Sequence, residues 1–187
     1  MNKHKIMNAV FFQLIWFVCI YGASQGTFWQ ACMLTFSFIL WECLHAQNKV
    51  GLLWVVAQVT FLGCILDTIL LHSSLVEYQA TFPSVKIAPP WILCLWAAFA
   101  LTLNQSMSWA QNYKSLSVIL GGILGPFTYW VADNYWGAIM IQGNMTLSLL
   151  SIGLLWSIAT PLSLKIAKYM SKPTEKNNLS IPKASGF

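Results

Sequence analysis

Four groups of side chains in this 187-residue chain have the types and spacing to do chemistry. The first is Asp67, an acid inside the apolar run LGCILDTILL, where a carboxylate facing lipid would cost ~2.5 to 3.5 kcal/mol at mid-membrane. Thr60, Gly63 and Asp67 fall on one helical face, so the acid is expected to point into a bundle. There it is either a proton or cation site or a structural hydrogen-bond acceptor. The second is the stripe Glu42, His45 and Lys49, spaced i, i+3 and i+7. At a helix end these residues form either an acid/base pair that could protonate a substrate at the membrane surface, or an anchor whose side chains snorkel to water.

The third group is the uncharged polar patch Thr102, Asn104, Gln105, Ser106 and Ser108 with Trp109. Amides and hydroxyls in hydrocarbon usually hydrogen-bond across helices, at ~0.6 kcal/mol each, and the alternative is a lined polar cavity. The fourth is the cluster Gly121-Gly122 and Gly125-Pro126, with Tyr129 a turn later. Gly121 and Gly125 make a GxxxG face that lets another backbone approach. Pro126 removes the hydrogen bond to the Gly122 carbonyl, which is then satisfied by a neighbour such as Asn104 or Gln105, or marks a broken helix whose backbone binds a ligand. A packed kink and a broken helix are the two readings.

No motif assigns a reaction. One histidine and one carboxylate fall far short of a metal or catalytic set, and HExxH, GxSxG and a glycine-rich loop followed by lysine do not occur. Cys19, Cys32, Cys43, Cys64 and Cys94 lie singly in apolar runs and read as small core residues. No metal and no cofactor is expected, and the expectation leans away from an enzyme, with Glu42 and His45 the weak candidates for catalysis.

The elements that must position these groups are membrane helices. With 57% hydrophobic and 8% charged residues, the chain has too little polar surface for a water-facing globule, whose charged share is roughly 25%. All ten basic residues are lysines, so the bidentate arginine contacts of a nucleic-acid reader have no donor. Spans of ~17 to 25 residues are expected at Met7 to Gly22, Phe28 to His45, Val50 to Leu71, Trp91 to Trp109, Leu116 to Ala132 and Met145 to Ile166. A signal peptide cut near Ala23 is the alternative for the first, disfavoured by Gln13, Trp16 and Phe17 in its core.

Pro89-Pro90 bars a helix from crossing the polar stretch Ser73 to Pro90. Six spans put nine lysines on one side and only Lys86 on the other. That asymmetry predicts an all-α integral membrane bundle of six transmembrane helices with both termini cytoplasmic. Tryptophans near the span ends, among them Trp29, Trp41, Trp91 and Trp136, suit membrane interfaces. Residues 1–166 form the membrane domain, and 167–187 a basic cytoplasmic tail expected to be disordered. No internal repeat supports an inverted-repeat transporter.

Three strings carry a resemblance: LGCILD (Leu62 to Asp67), PPWILCLWAAFALTLNQSMSW (Pro89 to Trp109) and GGILGPFTYWVA (Gly121 to Ala132). Together they resemble a family of small multi-pass inner-membrane proteins of Gram-negative bacteria classed as a domain of unknown function. The resemblance covers roughly Asn8 to Ile166, and the positions that match its pattern are Asp67, Asn104, Ser106, Gly122, Pro126 and Tyr129. The chain departs from the pattern after Ala132, where Asp133-Asn134-Tyr135 replaces small and basic residues. The resemblance implies a bacterial inner-membrane location. Through neighbouring genes for enzymes resembling cyclopropane-fatty-acid synthases, it also implies a link to membrane-lipid modification or envelope stress.

Three function classes follow as expectations. An accessory or scaffold protein, with membrane lipids and lipid-modifying enzymes as partners, requires only packing faces. A small-solute or proton-coupled carrier would use Asp67 and Asn104 along a polar path, as a homo-oligomer because six helices enclose little space. A lipid-modifying membrane enzyme would use Glu42 and His45.

Overall fold

A computed structural model describes residues 3–170. Six α-helices run alternately between two ends: α1 (Lys3–Ser24), α2 (Trp29–His45), α3 (Lys49–His72), α4 (Pro90–Thr102), α5 (Lys114–Val131) and α6 (Met145–Met170). Two short strands, β1 (Val76–Tyr78) and β2 (Ile139–Ile141), pair antiparallel with Glu77 opposite Met140. They tie the α3–α4 connection to the α5–α6 connection at one end. The Lys3 and Met170 ends of the bundle lie together at the other, where the Met170 carbonyl lies within contact distance of a Cβ built on Gly51.

Local chemistry sets several of the helix ends. After α1, Gly26 adopts φ 71°, and the amides of Gly26 and Thr27 return to the carbonyls of Ala23 and Gly22 at 2.9 and 2.8 Å, a left-handed cap that glycine adopts without strain. At the start of α3, the Asn48 side chain accepts from the Gly51 amide at 2.8 Å, satisfying an orphan donor. Pro89 is extended and Pro90 opens α4, where a missing N–H costs nothing.

Four segments are long and apolar enough to cross a membrane: Lys3–Ser24, Lys49–His72, Lys114–Trp136 and Met145–Met170. The segment Lys114–Trp136 comprises α5 and a π-helical turn over Ala132–Trp136. The other two helices are shorter, 17 residues in α2 and 13 in α4. At 1.5 Å per residue, α4 reaches only about 20 Å.

The expected fourth span, Trp91 to Trp109, is therefore not one helix. It ends at Thr102, and turns lead to a 3-10 segment over Ser108–Asn112. The sixth helix extends past the expected boundary to Met170, so residues 167–170 of the expected tail are helical. The rest of that tail, 171–187, lies outside the described residues.

Interior packing is built on glycine. A Cβ on Gly63 would overlap the Trp96 indole, and one on Gly125 would overlap the Trp156 indole. The two indoles stack, with ring centroids 4.7 Å apart. Gly121 meets the Trp156 carbonyl and Thr160, and a Cβ on Gly153 would lie 3.0 Å from the Gly122 carbonyl. The α5–α6 contact is thus backbone against backbone, which small residues permit.

Candidate functional site

Asp67 is fully buried and sits where α3, α4, α5 and β1 meet. Its Oδ1 accepts hydrogen bonds from the Tyr78 hydroxyl at 2.7 Å and from the Tyr129 hydroxyl. Its Oδ2 accepts from Trp96 Nε1 at 2.6 Å. Three donors and no acceptor converge on a group that, when ionised, only accepts. Burial, and then the adjoining Asp67 carboxyl, push the Tyr78 phenol well above its usual pKa, so it remains a donor at neutral pH. Tyr78 comes from the β1 connection, so the strand pair closes over the acid.

This arrangement holds elements together. Gly63, one turn before Asp67, lets Trp96 lie flat against α3, and that position delivers its N–H to Oδ2. Thr60, expected on the same face, has a buried hydroxyl without a hydrogen-bond partner in the structure.

The second polar centre lies toward the opposite end. Glu42 is 1% exposed. Its Oε1 accepts from Asn8 Nδ2 at 2.5 Å, and its Oε2 lies 3.7 Å from His4 Nε2. His4 stacks on Trp41 at 4.5 Å. His45 instead bonds the Trp41 carbonyl through Nδ1 at 2.7 Å and is exposed.

The stripe Glu42, His45 and Lys49 is not a helical stripe. α2 ends at His45, Ala46 is extended, and Lys49 opens α3. Glu42 and His45 share α2, Lys49 does not, and Glu42 makes its hydrogen bond to Asn8 of α1.

Asn8, fully buried, is the hub of this centre. Besides Glu42, its amide donates to the Leu101 carbonyl at 3.1 Å, and its Oδ1 accepts from the Ser106 hydroxyl at 2.7 Å. Gln111 donates to the Leu103 carbonyl at 2.9 Å and to Asn104 Oδ1 at 2.7 Å, while Asn104 donates to the Ala167 carbonyl at 3.2 Å. The Gln105 amide returns to the Thr102 carbonyl at 3.0 Å.

Carbonyls at the end of a helix have no partner within it, and here Asn8, Gln105 and Gln111 supply them. Asn104, Gln105 and Ser106 therefore sit on a capped turn, not on a helical face. Asn104 bonds Gln111 and the Ala167 carbonyl, and among the described residues no hydrogen bond links it to Asp67.

At the glycine cluster, α5 runs unbroken through Pro126. The Gly122 carbonyl and the Pro126 ring face Gly153 of α6, not Asn104 or Gln105. Tyr129, the family-pattern position at the end of this string, reaches Asp67.

Sequence reasoning missed His4, Asn8, Tyr78, Trp96 and Gln111. For Asn8 a signal was present: an amide more than one turn inside a largely apolar helix gains from a partner on another helix. Cys94 Sγ lies 3.6 Å from Cys32 Sγ, and all five cysteines are free thiols.

Between α1 and α5, with α4 and α6 behind, lies a cavity of about 580 Å³ with a predominantly apolar lining. Phe12, Trp16, Phe99, Leu124 and Trp156 line it, and so do Tyr129 and Trp96. Among the described residues no group of three or more His, Cys, Asp or Glu side chains could hold a metal ion.

Helices of membrane-spanning length, an interior acid, Asp67, consumed by internal donors and an aromatic cavity define an all-helical membrane protein. Residues 5–162 match the family model described as a protein of unknown function, DUF2878, and the chain belongs to that family. No curated protein and no solved structure matches the chain.

Proposed function

We propose that the protein is a six-span protein of a bacterial inner membrane, with both termini cytoplasmic, that serves as an accessory to membrane-lipid modification. The observation that carries this reading is the pairing of a large apolar cavity with the full internal use of Asp67. A carrier needs its acid to exchange partners with solvent or substrate. Here Tyr78, Tyr129 and Trp96 occupy it from three elements.

An enzyme acting through Glu42 and His45 is disfavoured by geometry, because Glu42 is bonded to buried Asn8 and His45 to its own helix. What the molecule offers instead is a rigid, apolar surface and interior suited to lipid chains and to partner helices.

The orientation is supported by lysine placement. Lys3, Lys5, Lys49, Lys114, Lys165 and Lys168 belong to helix segments at the end that gathers Lys3 and Met170, while Lys86 belongs to the connection bearing β1. Such asymmetry supports a cytoplasmic location for the lysine-rich end. The shortest helix, α4, is continued by turns whose carbonyls Asn8 and Gln111 satisfy, an arrangement hydrocarbon tolerates where backbone groups are satisfied by protein.

The reading is tested by acyl-chain analysis of membranes from cells lacking the protein. The fraction of modified, for example cyclopropanated, chains is expected to change by about twofold or more, while the purified protein alone leaves phospholipid chemically unaltered. An unchanged acyl profile, or turnover of phospholipid by the purified protein, would contradict it.

A further inference from the structure

We propose that the cavity between α1 and α5 is a binding site for an anionic phospholipid, one acyl chain in the cavity and the phosphate at Lys5 and Lys114. The inference deepens the accessory reading and rests on its membrane orientation. At roughly 30 Å³ per methylene, close to a water's share of liquid volume, about 580 Å³ holds a chain of the length found in membrane phospholipids. The walls are aromatic and aliphatic side chains, so a hydrocarbon chain meets no competing polar group along most of its length.

Gln13 is the exception. It lies near the middle of α1, is exposed, lines the cavity and has no hydrogen-bond partner among the described residues. An amide at that depth gains from an acceptor brought in by an occupant.

Charge complementarity names the headgroup. Lys5, Phe12 and Trp16 fall on one face of α1, so Lys5 continues the cavity wall toward the lysine-rich end. Its Nζ donates to the Ser108 hydroxyl at 2.9 Å, and Ser108 follows Met107, which lines the cavity. Lys114 opens α5, the opposite wall, and is exposed. Neither lysine is paired with a carboxylate among the described residues. Two uncompensated cations at the lysine-rich ends of the helices that form the two cavity walls select a negatively charged lipid over a zwitterionic one.

The test uses the full chain reconstituted in phosphatidylcholine vesicles doped with spin-labelled phosphatidylglycerol or, separately, phosphatidylcholine carrying the same acyl label. The immobilised fraction is expected to be about fivefold larger for phosphatidylglycerol, the preference of roughly one lysine near the surface. Leu124→Trp, which fills the cavity from α5, should abolish the immobilised component for both lipids, whereas Leu154→Trp, on an exposed part of α6 outside the cavity, should leave it unchanged. Lys5→Gln combined with Lys114→Gln should bring phosphatidylglycerol to the phosphatidylcholine level. Equal immobilisation of the two lipids by the unmodified chain, or an immobilised fraction that survives Leu124→Trp, overturns the assignment. Failure of the accessory reading itself would show separately, as an unchanged acyl profile in cells lacking a protein that still immobilises the labelled lipid.

Discussion

Asp67→Ala is expected to cause the largest loss of stability of any single polar substitution in the molecule, roughly 3 to 5 kcal/mol. It strips the acceptor from three buried donors, each costing ~1 to 3 kcal/mol when left unmade, with some recovery as the two phenols rotate. The Trp96 indole N–H has no such freedom, because Gly63 on one side and Trp156 on the other hold the ring in place. Asp67→Asn should cost less, about 1 to 2 kcal/mol, since the amide oxygen can take the indole proton while its NH₂ faces a phenol oxygen. Unfolding in mild detergent, followed by circular dichroism, checks both values. Equal stability of Asp67→Ala and the unmodified chain would remove Asp67 as the junction of α3, α4, α5 and β1. Asp67→Asn also bears on transport: at near-normal abundance it should retain function if the acid is a structural acceptor.

The second large effect is expected at Asn8, where Asn8→Ala should cost about 2 to 4 kcal/mol. Three partners lose their contact at once: Glu42, the Leu101 carbonyl and Ser106. The Leu101 carbonyl ends a helix and has no replacement nearby, so the substitution should fray the last turn of α4 as well as uncouple α1 from α2. Asn8→Asp keeps the shape but removes both donated hydrogen bonds and sets a second carboxylate against Glu42, so it should be at least as damaging. Glu42→Gln retains an acceptor for Asn8 and should be mild. Hydrogen exchange of the 97–103 amides, compared across the three variants, separates local fraying from global destabilisation. Unchanged protection in Asn8→Ala would contradict the capping role.

The residues that could be read in the sequence are those whose partners lie within one helix period. The spacing of Thr60, Gly63 and Asp67 announces an inward face, and the structure buries Gly63 and Asp67 on it. The Gly121 and Gly125 spacing announces a close helix approach, which α6 supplies at Trp156. What could not be read depends on partners far along the chain.

α4 stops at Thr102, short of the expected Trp109, where Asn8, 93 residues earlier, satisfies the Leu101 carbonyl and Gln111 satisfies that of Leu103. Likewise Glu42, His45 and Lys49 keep helical spacing on paper. The Asn48 cap nonetheless starts a new helix between them, leaving Glu42 to meet Asn8. Tyr78 reaches Asp67 only because β1 pairs with β2, more than 60 residues away, a pairing that three-residue strands do not signal.

Reporter fusions that read cytoplasm against periplasm test the account's central claim most directly. Placed after Phe187 and between Gln47 and Lys49, the reporter is expected to report the cytoplasm. Placed between Ser74 and Lys86, in the connection that carries β1, it is expected to report the periplasm. Any one of the three positions on the opposite side would contradict the six-span arrangement, and with it the lysine-rich end as the cytoplasmic face.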